Sequence, residues 1–166
     1  MHVDYLADHP HLISQLAGLH HEQWCYLRPN ETLAQRTRRL TAACGRGGVP
    51  SVVVALADDA SLLGSAMLIE SDMATRPHLT PWLAGVYVLD AHRDHGIGSA
   101  LVKRIEAEAA AAGAGRLHLY TPDASRFYAR LGWTTDERYT YLGQRVALMS
   151  KQLGPPRDST WRHLKR

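Results

Sequence analysis

The residues best able to do chemistry in this chain lie at two places. The first is Arg93-x-x-Gly96-x-Gly98, with Asp94, His95, Ile97 and Ser99 in and beside it. It follows an apolar run, Val86-Tyr87-Val88-Leu89, which predicts a strand covered on both faces. Beyond it Ile97, Leu101, Ile105 and Ala109 recur every four residues, with Lys103, Arg104, Glu106 and Glu108 between them, the pattern of an amphipathic helix. A turn at this junction aims free backbone N–H groups off a helix N-terminus, where unpaired donors and the positive end of the helix dipole attract phosphate. Gly96 and Gly98 let the backbone approach a ligand with no Cβ in the way, and Arg93 adds a fixed positive charge. The second place is Ser125 to Trp133. There Phe127 and Leu131 pack on one face of a short helix, Gly132 ends it, and Tyr128 projects to a different side.

The spacing excludes two familiar phosphate loops. A dinucleotide fingerprint needs a third glycine or alanine three residues after the second, where this chain has Leu101. The Gly-Lys-Ser/Thr of a P-loop is lacking. The glycine turn instead resembles the acetyl-CoA pyrophosphate loop of the GCN5-related N-acetyltransferases (GNAT), whose pattern is Gln/Arg-x-x-Gly-x-Gly/Ala. Phe127-Tyr128 followed by Leu131-Gly132-Trp133 is similar to the late motif of the same family. The resemblance covers roughly residues 50–153 and is weaker before that.

The resemblance implies an acetyl-CoA-dependent N-acetyltransferase that transfers by direct attack of a primary amine on the thioester. It implies that the backbone of Val86, Tyr87 and Val88 meets the pantetheine arm and polarises the acetyl carbonyl. The pyrophosphate falls to Arg93, Asp94, His95, Gly96, Ile97, Gly98 and Ser99. Tyr128 is implied as general acid for the CoA thiolate, which is reasonable chemistry for a phenol of pKa about 10 and a thiol of about 8.5. The acceptor is a small-molecule or peptide amine. The alternative is a non-catalytic CoA-binding sensor or regulatory module; the presence of both the turn and Tyr128 favours the enzyme.

A lysine-like amine, with a pKa of about 10.4, arrives protonated, so a group must take its proton. The strand over residues 82–89 has no carboxylate. The nearest are Glu70 and Asp72, with Glu22 a third if the first helix lines the cleft. Glu70 is assigned as base or water-relay member, although each of the three reads by itself as a solvated charge or a substrate anchor. His78 and His92 titrate in a useful range, His92 within the cofactor turn and His78 within reach of an acceptor. Trp24 and Trp82 are either cleft walls favouring a cation or core packing.

The elements that must position these groups follow from periodicity and breakers. The chain has 166 residues, 45% hydrophobic and 21% charged, which fits one soluble globular domain. A strand over 2–7 and a helix through about Tyr26 are followed by a helix from Glu31 to about Cys44. That second helix is expected to turn Leu33, Thr37 and Leu40 inward and Arg36, Arg38 and Arg39 outward. Strands follow at 51–57, 62–70 and 82–89, the last two separated by a polar loop over 71–81. After the glycine turn come a helix to Gly113, a strand at 116–121, a short helix from Pro122 capped by Thr121, and strands at 133–141 and 145–153. The order βααβββαβαββ gives an α/β (α+β) single-domain, GNAT-like fold over 1–153, a mixed, mostly antiparallel sheet flanked by helices, with a basic tail at 154–166. Acceptor specificity is expected from the first two helices, the 71–81 loop and the 139–145 turn.

Two distant cysteines, Cys25 and Cys44, read as free thiols of a reducing cytoplasm. No apolar run reaches the roughly 18 residues of a spanning helix, so no membrane partner is expected. The net charge of +3 comes without a basic, aromatic-laced stripe, which argues against nucleic acid. The ten histidines are scattered and no metal site is expected. Val146, Leu148 and Met149 serve either a homodimer contact or the core.

Overall fold

The computed structural model describes residues 1–154; the basic tail lies otherwise outside the described residues. Seven strands form one sheet in the order β1-β2-β3-β4-β5-β7-β6. They are β1 (His2–Tyr5), β2 (Ser51–Leu56), β3 (Leu62–Ile69), β4 (Trp82–Val88), β5 (Arg116–Thr121), β6 (Thr134–Tyr141) and β7 (Gln144–Gln152). Every neighbouring pair is antiparallel except β4 and β5. The helices are α1 (Ile13–Trp24), α2 (Leu33–Ala42), α3 (Ile97–Ala111) and α4 (Ser125–Arg130). The predicted order and layering are therefore those of the molecule.

β2 explains the layering. Its residues Val53 and Ala55 belong to a core built against Leu101, Ile105 and Ala109 of α3. Val52, Val54 and Leu56 belong to a second core, against Leu12, Leu16, Ala17 and Leu40 of the N-terminal helices. A strand with helices on both faces must be apolar at every position, which is why this one reads as an unbroken run. A third cluster joins Trp82 and Met73 to Tyr141, Val146 and Leu148, and so fastens the 71–81 loop to β6 and β7. Val146, Leu148 and Met149 are thus core residues, exposed by no more than 4%. Trp82 is fully buried, with its indole N–H donating to the Leu79 carbonyl at 2.6 Å. It is packing, not cleft wall.

Several expectations are corrected. α2 starts at Leu33 behind Thr32, which forms a reciprocal capping box with Gln35. As the first helical residue, Leu33 points out and is 48% exposed, whereas Arg36 and Leu40 face in. Arg36 is only 5% exposed and Arg39 is half-buried; of the three arginines expected outside, Arg38 alone is exposed. The helix expected through about Tyr26 ends at Trp24, and its buried positions are Leu16, Ala17 and His20. α4 begins three residues after Pro122, and the Thr121 hydroxyl accepts from the Ala124 N–H in the turn that leads into it. No helix among the described residues is long and apolar enough to cross a membrane.

The strand before the glycine turn departs most from its sequence pattern. Ala84 to Leu89 are only half-buried, although the run looked like a doubly covered strand. The cause is its neighbour: β4 and β5 are in register at a single pair, Trp82 with His118, and part thereafter. One edge of β4 is left open, and a cleft forms in the gap.

Candidate active site

The cleft encloses about 210 Å³. Its walls are Ala84, Gly85 and Val86 of β4, Leu119, Tyr120 and Thr121 of β5, Tyr128 of α4, and residues of α1, α2 and the segment between them. Asp72, from the start of the 71–81 loop, also lines it. Trp24 is part of the wall; Glu22, Glu70, His78 and His92 are not. All four of these are exposed, and Glu70 lies against a separate shallow hollow with Val49, Thr80 and Pro81. The carboxylates and histidines weighed from the sequence are therefore not brought together, and Asp72 alone among them reaches the cleft.

At the centre of the open edge β4 is irregular. Ser65 of β3 pairs with Tyr87 and Met67 with Ala84, so Gly85 and Val86 have no register partner on β3. Gly85 has φ +58°, and a Cβ there would stand 2.7 Å from the Met67 sulfur. The left-handed backbone is what calls for glycine, and a larger residue would also have to push the Met67 side chain aside. A lone glycine inside an apolar strand was the available sequence signal for this bulge.

Ser65 holds the bulge. Its hydroxyl donates to the Gly85 carbonyl at 2.8 Å, and His20 Nε2 lies 2.8 Å from the Ser65 Oγ. A serine has one proton to give, so Nε2–H donates to Ser65 and Nδ1 is the bare nitrogen. Burial, assisted by Arg36 and Arg39, drives the His20 pKa down to about 3. The ring is therefore neutral at working pH, and it is a poor base that serves as a brace. Trp24 and Tyr87 pack edge-on against it at 5.0 and 6.2 Å between centroids. His20→Ala is expected to lower kcat about tenfold and to cost about 1–3 kcal/mol in stability, the range for a broken buried hydrogen bond. The shape of the pH profile should be unchanged because His20 titrates on neither limb. Steady-state rates across pH and a denaturant melt check this.

The glycine turn is built as its pattern predicts. A short helical turn, Asp90–His92, leads from β4 to Gly96, which has φ +77° and precedes α3. No side chain caps α3. The N–H groups of Ile97, Gly98 and Ser99 thus lack the intrahelical partners of later residues. Its two glycines have different reasons. Gly96 supplies the left-handed backbone, with nothing within 4 Å of the Cβ direction. At Gly98 a Cβ would meet Phe127 at 3.3 Å, so this glycine also lets α3 and α4 approach. Arg93 is partly spent locally: its Nε–H donates to the Val88 carbonyl and its Nη2 pairs with Asp90 at 2.8 Å.

Two cleft groups have displaced acidities. Burial pushes the Asp72 carboxyl up to about 7, against the pull of Arg28 and Arg39. Burial, with Asp123 nearby, raises the Tyr128 phenol well above its ordinary value of 10. Tyr128 packs edge-on against Phe127 and Trp133, with centroids 5.0 and 6.0 Å away.

The model of the acetyltransferase (GNAT) family matches residues 16–133, well over half the chain. A search of the curated proteins returns no match. Among solved structures, an aminoglycoside 6'-acetyltransferase type Ii is similar at 22% identity and a TM-score of 0.72, covering 93% of this chain and 99% of its own. An aminoglycoside 6'-N-acetyltransferase complexed with coenzyme A gives 19%, 0.74, 95% and 100%. The protein yncA of Salmonella typhimurium, with its cofactor acetyl-CoA, gives 18%, 0.66, 93% and 94%. The motifs, the parted strands and the family match agree: the chain belongs to the GNAT acetyltransferase family.

Proposed function

We propose that this GNAT acetyltransferase moves the acetyl group of acetyl-CoA to the primary amine of a small molecule. The observation that carries the reading is a single cleft lined by a backbone bulge, a buried tyrosine and a carboxyl that titrates near neutrality, with an uncapped helix N-terminus following the same strand. The residues fit such a donor substrate. Donors at Ile97, Gly98 and Ser99 suit a pyrophosphate, with Asp94 and His95 completing the turn, and the open edge of Val86, Tyr87 and Val88 suits an amide-bearing arm. The names of the aminoglycoside-modifying neighbours support a small-molecule acceptor over a peptide.

In this mechanism the amine nitrogen, once neutral, attacks the thioester carbonyl. Backbone N–H groups freed at the bulge stabilise the oxyanion. Collapse breaks the C–S bond, and the departing sulfur takes its proton from Tyr128, which recovers one from solvent. Asp72, directly or through a water, takes the proton that the ammonium loses before attack and passes it to solvent, in place of Glu70, which faces elsewhere. The proton that the adduct nitrogen sheds as the amide forms leaves by the same route. Asp72 suits the role because a base works best with a pKa near the working pH.

Calorimetric titration with acetyl-CoA, followed by thiol detection with a panel of amines, tests the reading. Saturable binding with thiol release supports it. Binding without release across the panel favours the sensor alternative, and no binding overturns the assignment of the turn. Gly98→Val probes the turn directly. The added side chain would collide with Phe127 and disturb donors at the start of α3. Losing one charge-assisted hydrogen bond, about 1.5–3 kcal/mol, should raise the Kd for CoA about 10- to 100-fold.

A further inference from the structure

The acceptor wall of the cleft carries an excess of positive charge. Arg28, Arg36 and Arg39 all line it, and one carboxylate, Glu31, serves all three. Arg39 occupies both of its oxygens, with Nε and Nη2 each donating at 2.9 Å. Arg28 approaches only to 3.9 Å and is about half exposed. Arg36 Nε lies 3.2 Å from the carboxylate but outside hydrogen-bonding geometry. Its Nε and Nη2 atoms are buried and have no hydrogen-bond partner among the described residues. The whole Arg36 residue is 5% exposed.

Such an arrangement is costly by itself. A guanidinium stays charged at any physiological pH, and buried donors without acceptors lose the hydration they had in the unfolded chain. Both atoms are shut off from solvent, so the cost is relieved if the guanidinium turns toward the cleft it lines and an oxyanion there takes those donors. A planar guanidinium fork matches the two oxygens of a carboxylate or phosphonate. The other charges of the cleft, Asp72 and Asp123, are acidic. The cleft therefore offers carboxylates to an ammonium and guanidiniums to an anion.

The geometry points to an acceptor that is a zwitterion: a small primary amine that also bears a carboxylate, or another oxyanion, held by Arg36 with Arg28 and Arg39. This rests on the acetyl-transfer reading of the same cleft and names its substrate class. It sets the chain apart from neighbours named for aminoglycosides, which are polycations and would meet a positive wall.

The test pairs each acid with its neutral analogue. Free α-amino acids are compared with their α-carboxamides, and 2-aminoethylphosphonate with ethanolamine, as acceptors for acetyl-CoA. The same compounds are titrated calorimetrically into the protein with and without CoA, a readout that needs no turnover. Acids are expected to exceed their neutral partners at least tenfold in kcat/KM or in affinity. The carboxylate and phosphonate arms tell which oxyanion is preferred. In Arg36→Met, which keeps the bulk and removes the charge, that ratio should fall at least tenfold. Should this variant fold poorly, Arg28→Gln at the exposed edge should lower the ratio in the same direction. Equal response to acids and neutral analogues, or a ratio that survives both substitutions, overturns the proposal. Failure of acetyl-CoA itself to bind would instead strike the underlying reading, while selective binding of the acids would still uphold the anion site.

Discussion

Tyr128→Phe is expected to lower kcat about 10²- to 10⁴-fold, the range for loss of a general acid, with the KM for acetyl-CoA nearly unchanged. The fold should tolerate the change. The ring keeps its edge-on contacts with Phe127 and Trp133, and the Tyr128 carbonyl still accepts from the N–H groups of Leu131 and Trp133. The thermal midpoint should therefore stay close to that of the parent, and a large drop would show a structural role for the hydroxyl instead. Leaving-group chemistry separates acid catalysis from mere positioning. A CoA-like thiol has a pKa of about 8.5 and benefits from a proton, whereas an aryl thiol leaves readily as the anion. The deficit of the variant should shrink with an acetyl aryl thioester. A deficit that is equal for both donors removes Tyr128 as acid, and an unchanged rate removes it from the mechanism. Burial keeps the phenol protonated well above its ordinary range, so the alkaline limb of the parent's pH profile should not belong to Tyr128.

The sheet, the glycine turn and the Phe127-Tyr128 helix were legible because each has a local cause. Apolar runs follow from burial on two faces, as at β2, and the turn follows from the left-handed backbone at Gly96. What was hidden depends on pairs of residues far apart in the chain. His20 meets Ser65 across 45 positions, and nothing in either neighbourhood signals the other. The openness of β4 arises from where β5 goes, and its own composition reads as full burial. Arg36 reads as a solvent-facing charge on a polar helix, because periodicity weighs side chains by hydrophobicity. An arginine can turn inward when its stem covers apolar surface and a carboxylate stands near its head. Glu70 and Asp72 lie two positions apart, and the sequence favoured Glu70. Their separation onto different hollows comes from the bend where β3 gives way to the loop.

Those two carboxylates give the other large effect. Asp72→Asn should lower kcat about 10²-fold or more by removing the base, whereas Glu70→Gln, on an exposed residue outside the cleft, should stay within about twofold. The parent's kcat should rise with pH through an inflection near 7 as the Asp72 carboxyl ionises. The variant should lose that inflection and retain only the steady rise set by ionisation of the amine. Stability supplies an independent check with a definite sign. The Asp72 carboxyl is raised from 3.8 to about 7, so between those values the folded chain holds a proton that the unfolded chain has released. The Asp72 contribution to stability then falls as pH rises through this window and levels off above it, while His20, held down at about 3, contributes the opposite slope, so the readout is the difference between variant and parent. Asp72→Asn removes that slope, so the variant should be the more stable protein above pH 7 and lose the advantage near pH 4. Loss of activity together with gain of stability at neutral pH is what a base held in an unfavourable setting produces. An inflection near 7 that persists in the variant, or a stability difference between variant and parent that is flat across the window, would exclude Asp72 from the role.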